Sequence, residues 1–363
     1  MNTKDSYKIA CPPLGITQTN VVFPTREYSD PEHTNPQRPP QRITAFGISP
    51  DGTQFVTGFH DGSIRIFTTD STPPRKIPKL HLSTVTYLQF FPSSRVLLTA
   101  GADFTLTILP AELPSADSSS PVAIPAPVRT LKGHHTRAIT STAIISRGRN
   151  VVSGAKDGTV RLWDVSSGTQ IYSFGTGKGK YIPVTAMDIG PRGATPVTID
   201  GAGTVADERE VDTADKLIFC ALQDGSFEVF DLGSKQSVFQ SRPTDPSSGS
   251  LCAITYSPSH NVLATGSSKG VITVYSTLSL WTPLTSFVRN GASIESLAFT
   301  STGTRLVVAT DDGLPFIASV GSDRPVVEAE LIGGDCEGVR VVRCKDSEVW
   351  TAGDDGIVRV YQC

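Results

Sequence analysis

No stretch of this sequence approaches the roughly 18 consecutive apolar residues that a membrane-crossing helix needs. The segment from Met1 to Ala10 is polar and lacks the apolar run of a secretory signal. An Asn-X-Ser/Thr acceptor with a permitted middle residue does not occur. None of the six cysteines stands in a Cys-X-X-Cys pair, so neither a disulfide framework nor a zinc site is indicated. These absences lead to an expectation of reduced, mostly buried thiols in a cytoplasmic and nuclear protein. Excess charge of one sign is lacking too: the formal net charge is -3, which argues against a general nucleic-acid or membrane-surface binder.

Turn residues, by contrast, are plentiful, with 32 glycines and 26 prolines in 363 residues, the mark of many short elements. Length alone would allow two or three ordinary domains, so internal repetition decides the architecture. Ser153-Gly154-Ala155-Lys156-Asp157-Gly158-Thr159-Val160-Arg161-Leu162-Trp163-Asp164 reads as a strand end, a tight Asp-Gly turn and an alternating strand closing on Trp-Asp. That is the WD40 signature. Weaker copies begin at His60, Ala102, Gln223, Ser268, Asp311 and Asp354. They put Phe67, Leu109, Phe230, Tyr275, Ala318 and Tyr361 at the position of Trp163. Large side chains dominate there, with Ala318 the exception.

A second register is independent of the first. The opening strand of a blade should carry an apolar anchor and another apolar residue five positions on. The pairs are Ile43 with Ile48, Val85 with Phe90, Ile139 with Ile144, Val184 with Ile189, Leu251 with Tyr256, Ile294 with Phe299 and Val339 with Cys344. Both registers agree on an all-β, seven-bladed WD40 propeller over 43–363. Residues 1–42 would supply a closing strand and a connector, making one structural domain overall.

Anchors are mostly about 42 to 45 residues apart, near the usual period. Two intervals are longer. Pro110 to Pro127, rich in Pro, Ala and Ser, reads as a flexible connection; Pro191 to Asp215 ends in the charged run Asp207-Glu208-Arg209-Glu210. One follows a third strand and the other a first strand, so both should project from one face and leave the opposite face open to a partner. Too few residues follow Tyr361 for a fourth strand in blade seven, so the amino-terminal region should close the ring. Tyr7-Lys8-Ile9-Ala10 is the first choice and Val21-Val22-Phe23 the second, with Thr25 to Gln41 as connector.

Catalytic chemistry finds little support. His135, Ser153, Asp157 and Trp163 form a set that suits the structural hydrogen-bonded chain of a WD40 blade, and His135, rather than His134, has the usual spacing of four to its anchor. Each bond in such a chain contributes about 1 kcal/mol net. His81, four before Val85, repeats the position in blade two. A catalytic His-Asp-Ser reading competes on composition alone. Gly334-Asp335-Cys336-Glu337-Gly338 superficially resembles a nucleophile elbow but no helix pattern follows, so a loop joining blades six and seven, with acids available for binding, is the better reading. Gly175-Thr176-Gly177-Lys178-Gly179-Lys180 lacks Walker spacing. The Asp-Gly turns lack the oxygen ladder of a calcium loop. Neither a cofactor nor a metal is implied.

A narrower likeness appears in His135-Thr136-Arg137-Ala138-Ile139-Thr140, Ala143-Ile144-Ile145 and Arg147 through Ser153. With Lys8 through Pro12, Glu208 through Val211, Leu331 through Glu337 and Asp355 through Arg359, it resembles the proteasomal ATPase-associated factor family over nearly the whole chain. A shorter amino-terminal extension, the Pro110–Pro127 insertion and the extra histidine at 134 or 135 depart from that pattern. The resemblance implies a non-catalytic chaperone for assembly of the proteasome's 19S regulatory particle. It would bind the carboxy-terminal domain of an ATPase-ring subunit, in company with other assembly chaperones on the same ATPase module, and be a monomer when free. Acids on the open face would meet a basic ATPase surface. Asp335 and Glu337 are the leading candidates, followed by Glu295 and Asp354, with Arg289 adding a contact. A WD40 adaptor of another complex, such as a ubiquitin-ligase substrate receptor, is the competing reading.

Overall fold

In a computed structural model the described residues are 6–11, 16–30, 41–70, 74–112, 125–196, 206–243, 246–321, 324–334 and 336–363. Their strands form seven sheets with four strands each, one of them extended to six. The seven first strands are Ile43–Ile48, Val85–Phe90, Ile139–Ile145, Val184–Pro191, Leu251–Ser257, Ile294–Phe299 and Val339–Lys345. Each begins on the apolar anchor expected from the sequence. Each packs against the next, and the seventh against the first, so the sheets close into a ring.

The anchors act between blades. A Cβ on Gly58 would lie 2.6 Å from Val85 Cγ1, and one on Gly266 would lie 2.4 Å from Ile294 Cγ2. Glycine in a second strand thus lets the next blade's anchor approach the backbone. Directly after every anchor the ladder slips once, between Ile43 and Ala45 in blade one and at the equivalent point in the other six. Such bulges increase local twist. The residues at the Trp163 position are buried in six blades, Ala318 included, with Tyr275 half-buried. Apolar side chains from adjacent sheets make the core, as where Val152, Leu162, Val184, Met187 and Ile218 meet between blades three and four.

The closing strand differs from both expected choices. It is Arg26–Tyr28, inside the segment expected to be a connector, and it pairs antiparallel with Val358–Gln362. Tyr7–Ala10 lies in Ser6–Cys11, which pairs with Ile16–Val22. That hairpin adds to the outer edge of blade six, with Ile16–Val22 parallel to Val326–Leu331. Side-chain packing explains the choice. Tyr28 stacks on Trp350 with centroids 6.0 Å apart and meets Phe55 edge-on at 4.9 Å, while Tyr7 is 65% exposed. Immediately beyond, Asp30 pairs with Arg65 of blade one, both side chains 5% exposed.

The thiols differ from expectation as well. Of the cysteines whose side chains are described, Cys220 is buried, Cys252 and Cys344 are half-buried, and Cys336 and Cys363 are exposed; mostly buried thiols were expected. The charged run at the end of the second insertion packs against the blades. Glu210 forms a buried pair with Lys235, and Asn150 receives the Val211 amide at 2.7 Å, so the run folds onto blades three and four. The insertions' residues 113–124 and 197–205 lie outside the described set.

Truncating Tyr28 removes a ring stacked between the first and last blades. Tyr28→Ala is expected to cost about 3 kcal/mol in urea unfolding. Tyr7→Ala should change stability by less than about 0.5 kcal/mol. Equal effects would place ring closure elsewhere.

Candidate protein-docking face

Strand direction sorts the loops. Turns between second and third strands and connectors between blades share one face, and the strands flanking the two long insertions end at the other. The first face is where the blade-three chain sits. His135 Nε2 is 2.8 Å from Ser153 Oγ, Trp163 Nε1 donates to that oxygen at 2.8 Å, and His135 Nδ1 lies 2.9 Å from Asp157. The Asp157 carboxylate also receives the Thr136 amide at 3.1 Å. One buried chain therefore ties the connector entering blade three to the Asp-Gly turn beside it. Blade two repeats it more fully than its sequence suggested: His81 reaches Thr99 at 2.8 Å and Asp103 at 3.1 Å, with Leu109 at the tryptophan position. The threonine and acid stand at the spacing of Ser153 and Asp157, a signal the sequence does contain.

Burial pushes the His135 imidazole below its ordinary value, against the pull of Asp157. Burial acts to raise Asp157, but hydrogen bonds from His135 and Thr159 overcome it and hold the carboxyl well below the usual range. This arrangement favours a neutral imidazole locked between two partners. Ser153, the hydroxyl of this set, is fully buried.

The binding candidates separate into different environments. Glu295 and Asp354 share one cation, Arg340, at 3.1 Å and 2.6 Å. Asp354 is the first cause of a raised guanidinium pKa there, and burial opposes it. Both acids are thus partly neutralised by the cation they share. Arg289 is committed to blade six: it pairs with Glu330 at 2.7 Å, donates to the Leu314 carbonyl at 3.0 Å and stacks over Phe316 at 4.9 Å. Glu337 is exposed and in no ion pair among the described residues. Asp335 lies outside the described residues.

Asp311 is an acid that the sequence reading missed. It is exposed, and its turn touches the Glu337 loop: a Cβ on Gly313 would lie 2.6 Å from the Glu337 carbonyl oxygen. Arg340 was missed as well. The second position of the first strand is threonine in blades one to four (Thr44, Thr86, Thr140, Thr185) but Cys252, Glu295 and Arg340 in the last three. That change of residue type along one register was the available signal. The same positions line a central channel of about 540 Å³. Among the described residues, no three His, Cys, Asp or Glu side chains converge closely enough to hold a metal ion.

The WD domain, G-beta repeat family matches residues 31–68 and 125–164. The chain is a WD40 propeller. It is similar to 26S proteasome regulatory subunit RPN14 of Saccharomyces cerevisiae, 26% identical over 303 residues that span 81% of this chain and 69% of that protein. Proteasomal ATPase-associated factor 1 of Bos taurus is 30% identical over 155 residues, 43% of this chain and 37% of that protein. Human angio-associated migratory cell protein is 24% identical over a stretch of similar size, 43% of this chain and 32% of that protein. A match of that length needs only shared blades. The RPN14 match runs nearly twice as far, and the resemblance of this propeller to the proteasomal ATPase-associated factor family stands.

Acidification tests the buried chain. A histidine whose folded pKa lies below its unfolded one contributes stability that is fully present above the unfolded value, about 6.5, and is lost as pH falls from there through the folded value. A carboxyl held low loses its contribution only further down, below about 3.9. His135→Gln is therefore expected to cost about 2 kcal/mol near neutrality. The gap to the parent protein should narrow between about pH 7 and pH 5. A constant gap across urea titrations in that range would show that His135 is not held neutral.

Proposed function

We propose that this chain is a non-catalytic assembly chaperone for the proteasome's 19S regulatory particle. It acts in the cytoplasm and nucleus by holding the carboxy-terminal domain of one ATPase-ring subunit. The observation that carries this reading is the likeness to a 26S proteasome regulatory subunit along 81% of the chain, joined to an open face whose loops are braced from below. A rigid platform of this kind covers a docking surface without changing it chemically, which suits a protein that delays one assembly step.

The acidic sector of blades six and seven is the contact zone, with Glu337 and Asp311 as its uncommitted charges and Asp335 beside them in sequence. Charge there would steer and orient a basic surface on the ATPase domain, and association would weaken as salt rises. Glu295, Arg340 and Asp354 serve as a base for that sector, because a charge cluster satisfied internally costs less to cover than a bare one. Arg289 fixes the neighbouring blade-six rim.

Isolated carboxy-terminal domains of each ATPase subunit, titrated by calorimetry, test the proposal. One domain is expected to bind selectively, and Glu337→Arg with Asp311→Arg should weaken it by at least about tenfold while the thermal transition stays in place. Binding unchanged by the reversals would move the contact to another sector. No binding to any ATPase domain, with ubiquitin-ligase subunits recovered instead, would favour the adaptor reading.

A further inference from the structure

The same face carries a second, oppositely charged sector. Its centre is the connector from blade three to blade four, where Gly177, Lys178, Gly179 and Tyr181 all have positive φ, at 64°, 55°, 84° and 56°. Lysine and tyrosine seldom adopt that conformation unless their surroundings impose it. Here the fully buried Glu228 carboxylate accepts the Gly177 amide at 2.8 Å and the Ser237 hydroxyl at 2.6 Å. Buried Thr176 donates its hydroxyl to the Ile182 carbonyl at 2.6 Å, and the Tyr181 amide returns to the Thr176 carbonyl at 3.0 Å. Against the loop lies Gly158, where a Cβ would meet the Tyr181 carbonyl group at 2.2 Å. The loop is built in advance.

Its construction pushes charge outward. Lys178 and Lys180 are exposed, with Tyr181 beside them at 57% exposure. Lys156, whose amide donates to the Ala138 carbonyl at 2.9 Å, and Arg137 stand exposed next to them on the blade-three turn and connector. Among the described residues none of these four cations is in an ion pair with a carboxylate. Neighbouring acids are otherwise engaged: Asp157 with His135 and Thr159, and Asp224 with the Ser226 amide and hydroxyl.

We propose that this sector, formed by Arg137, Lys156, Lys178, Lys180 and Tyr181, is a second docking site that takes an acidic, extended peptide segment of a partner protein. The sector supplies separated point charges around one exposed ring, a pattern that a chain of carboxylates with an apolar residue can match. A long nucleic-acid polyanion fits less well, because the acidic patch of blades six and seven shares the face and repels it. The site is independent of the ATPase contact, which lies across the ring.

The test uses the full chain and a fluorescein-labelled Asp/Glu-rich peptide with one central phenylalanine, followed by anisotropy. Saturable binding that weakens with salt is expected. Lys156→Glu with Lys180→Glu, both exposed positions, should reduce affinity at least about tenfold, and Tyr181→Ser should reduce it about threefold. Glu337→Arg should leave this binding intact even while it impairs ATPase-domain binding, so the two sites fail separately. Absence of saturable binding, an affinity unmoved by the double reversal, or tighter binding of an oligonucleotide of equal charge would each overturn the proposal.

Discussion

A ring of sheets holds its shape only when the last is tied to the first, and in this propeller a short paired segment bears that task. Arg26–Tyr28 completes blade seven through backbone pairing with Val358–Gln362, and the Tyr28 ring bridges Trp350 and Phe55 of adjacent blades. The Asp30–Arg65 pair then fastens the outgoing chain to blade one. Burying that pair costs desolvation, and its return is geometric: it allows one docking of the segment and disfavours others. Every loop on the open face inherits its position from this closure, because each blade is located only by its two neighbours.

Charge on the open face follows the same ring order. The first-strand register passes from threonines in blades one to four to Glu295 and Arg340 in blades six and seven, so at that level of the channel the ionic groups stand on one side. Exposed Asp311 and Glu337 stand above that side, while the cations around Tyr181 stand above blades three and four. The face therefore has a direction, which a chain with nearly balanced total charge conceals. A partner meeting it is oriented by two opposite fields rather than attracted by one.

The blades were legible in the sequence because each is local: an anchor, a turn and an alternating strand fall within a few dozen residues, and the packing between blades repeats. The WD40 chain of blade three was legible for the same reason. Ring closure was not. Arg26–Tyr28 is too short to show alternation, and its identity depends on a partner more than three hundred positions away, whereas Tyr7–Ala10 alternates well yet finds only an edge. The candidate acids were visible as acids, but nothing in the sequence says that Glu295 and Asp354 converge on Arg340, since that triangle joins two blades. The preformed loop at Gly177 was equally hidden, its cause being a carboxylate some fifty residues further along.

Closure by Arg26–Tyr28 against a strand more than three hundred positions later has a consequence for biosynthesis. A ribosome that has not yet reached Val358 has made six blades and leaves Arg26–Tyr28 with nothing to pair against. Until then the nascent protein is an open arc with the apolar sheet faces of blades one and six uncovered, exposed to other unfinished chains. The ring therefore cannot close before this strand has been made, and a product that stops short of it is marked by its own unsealed flank.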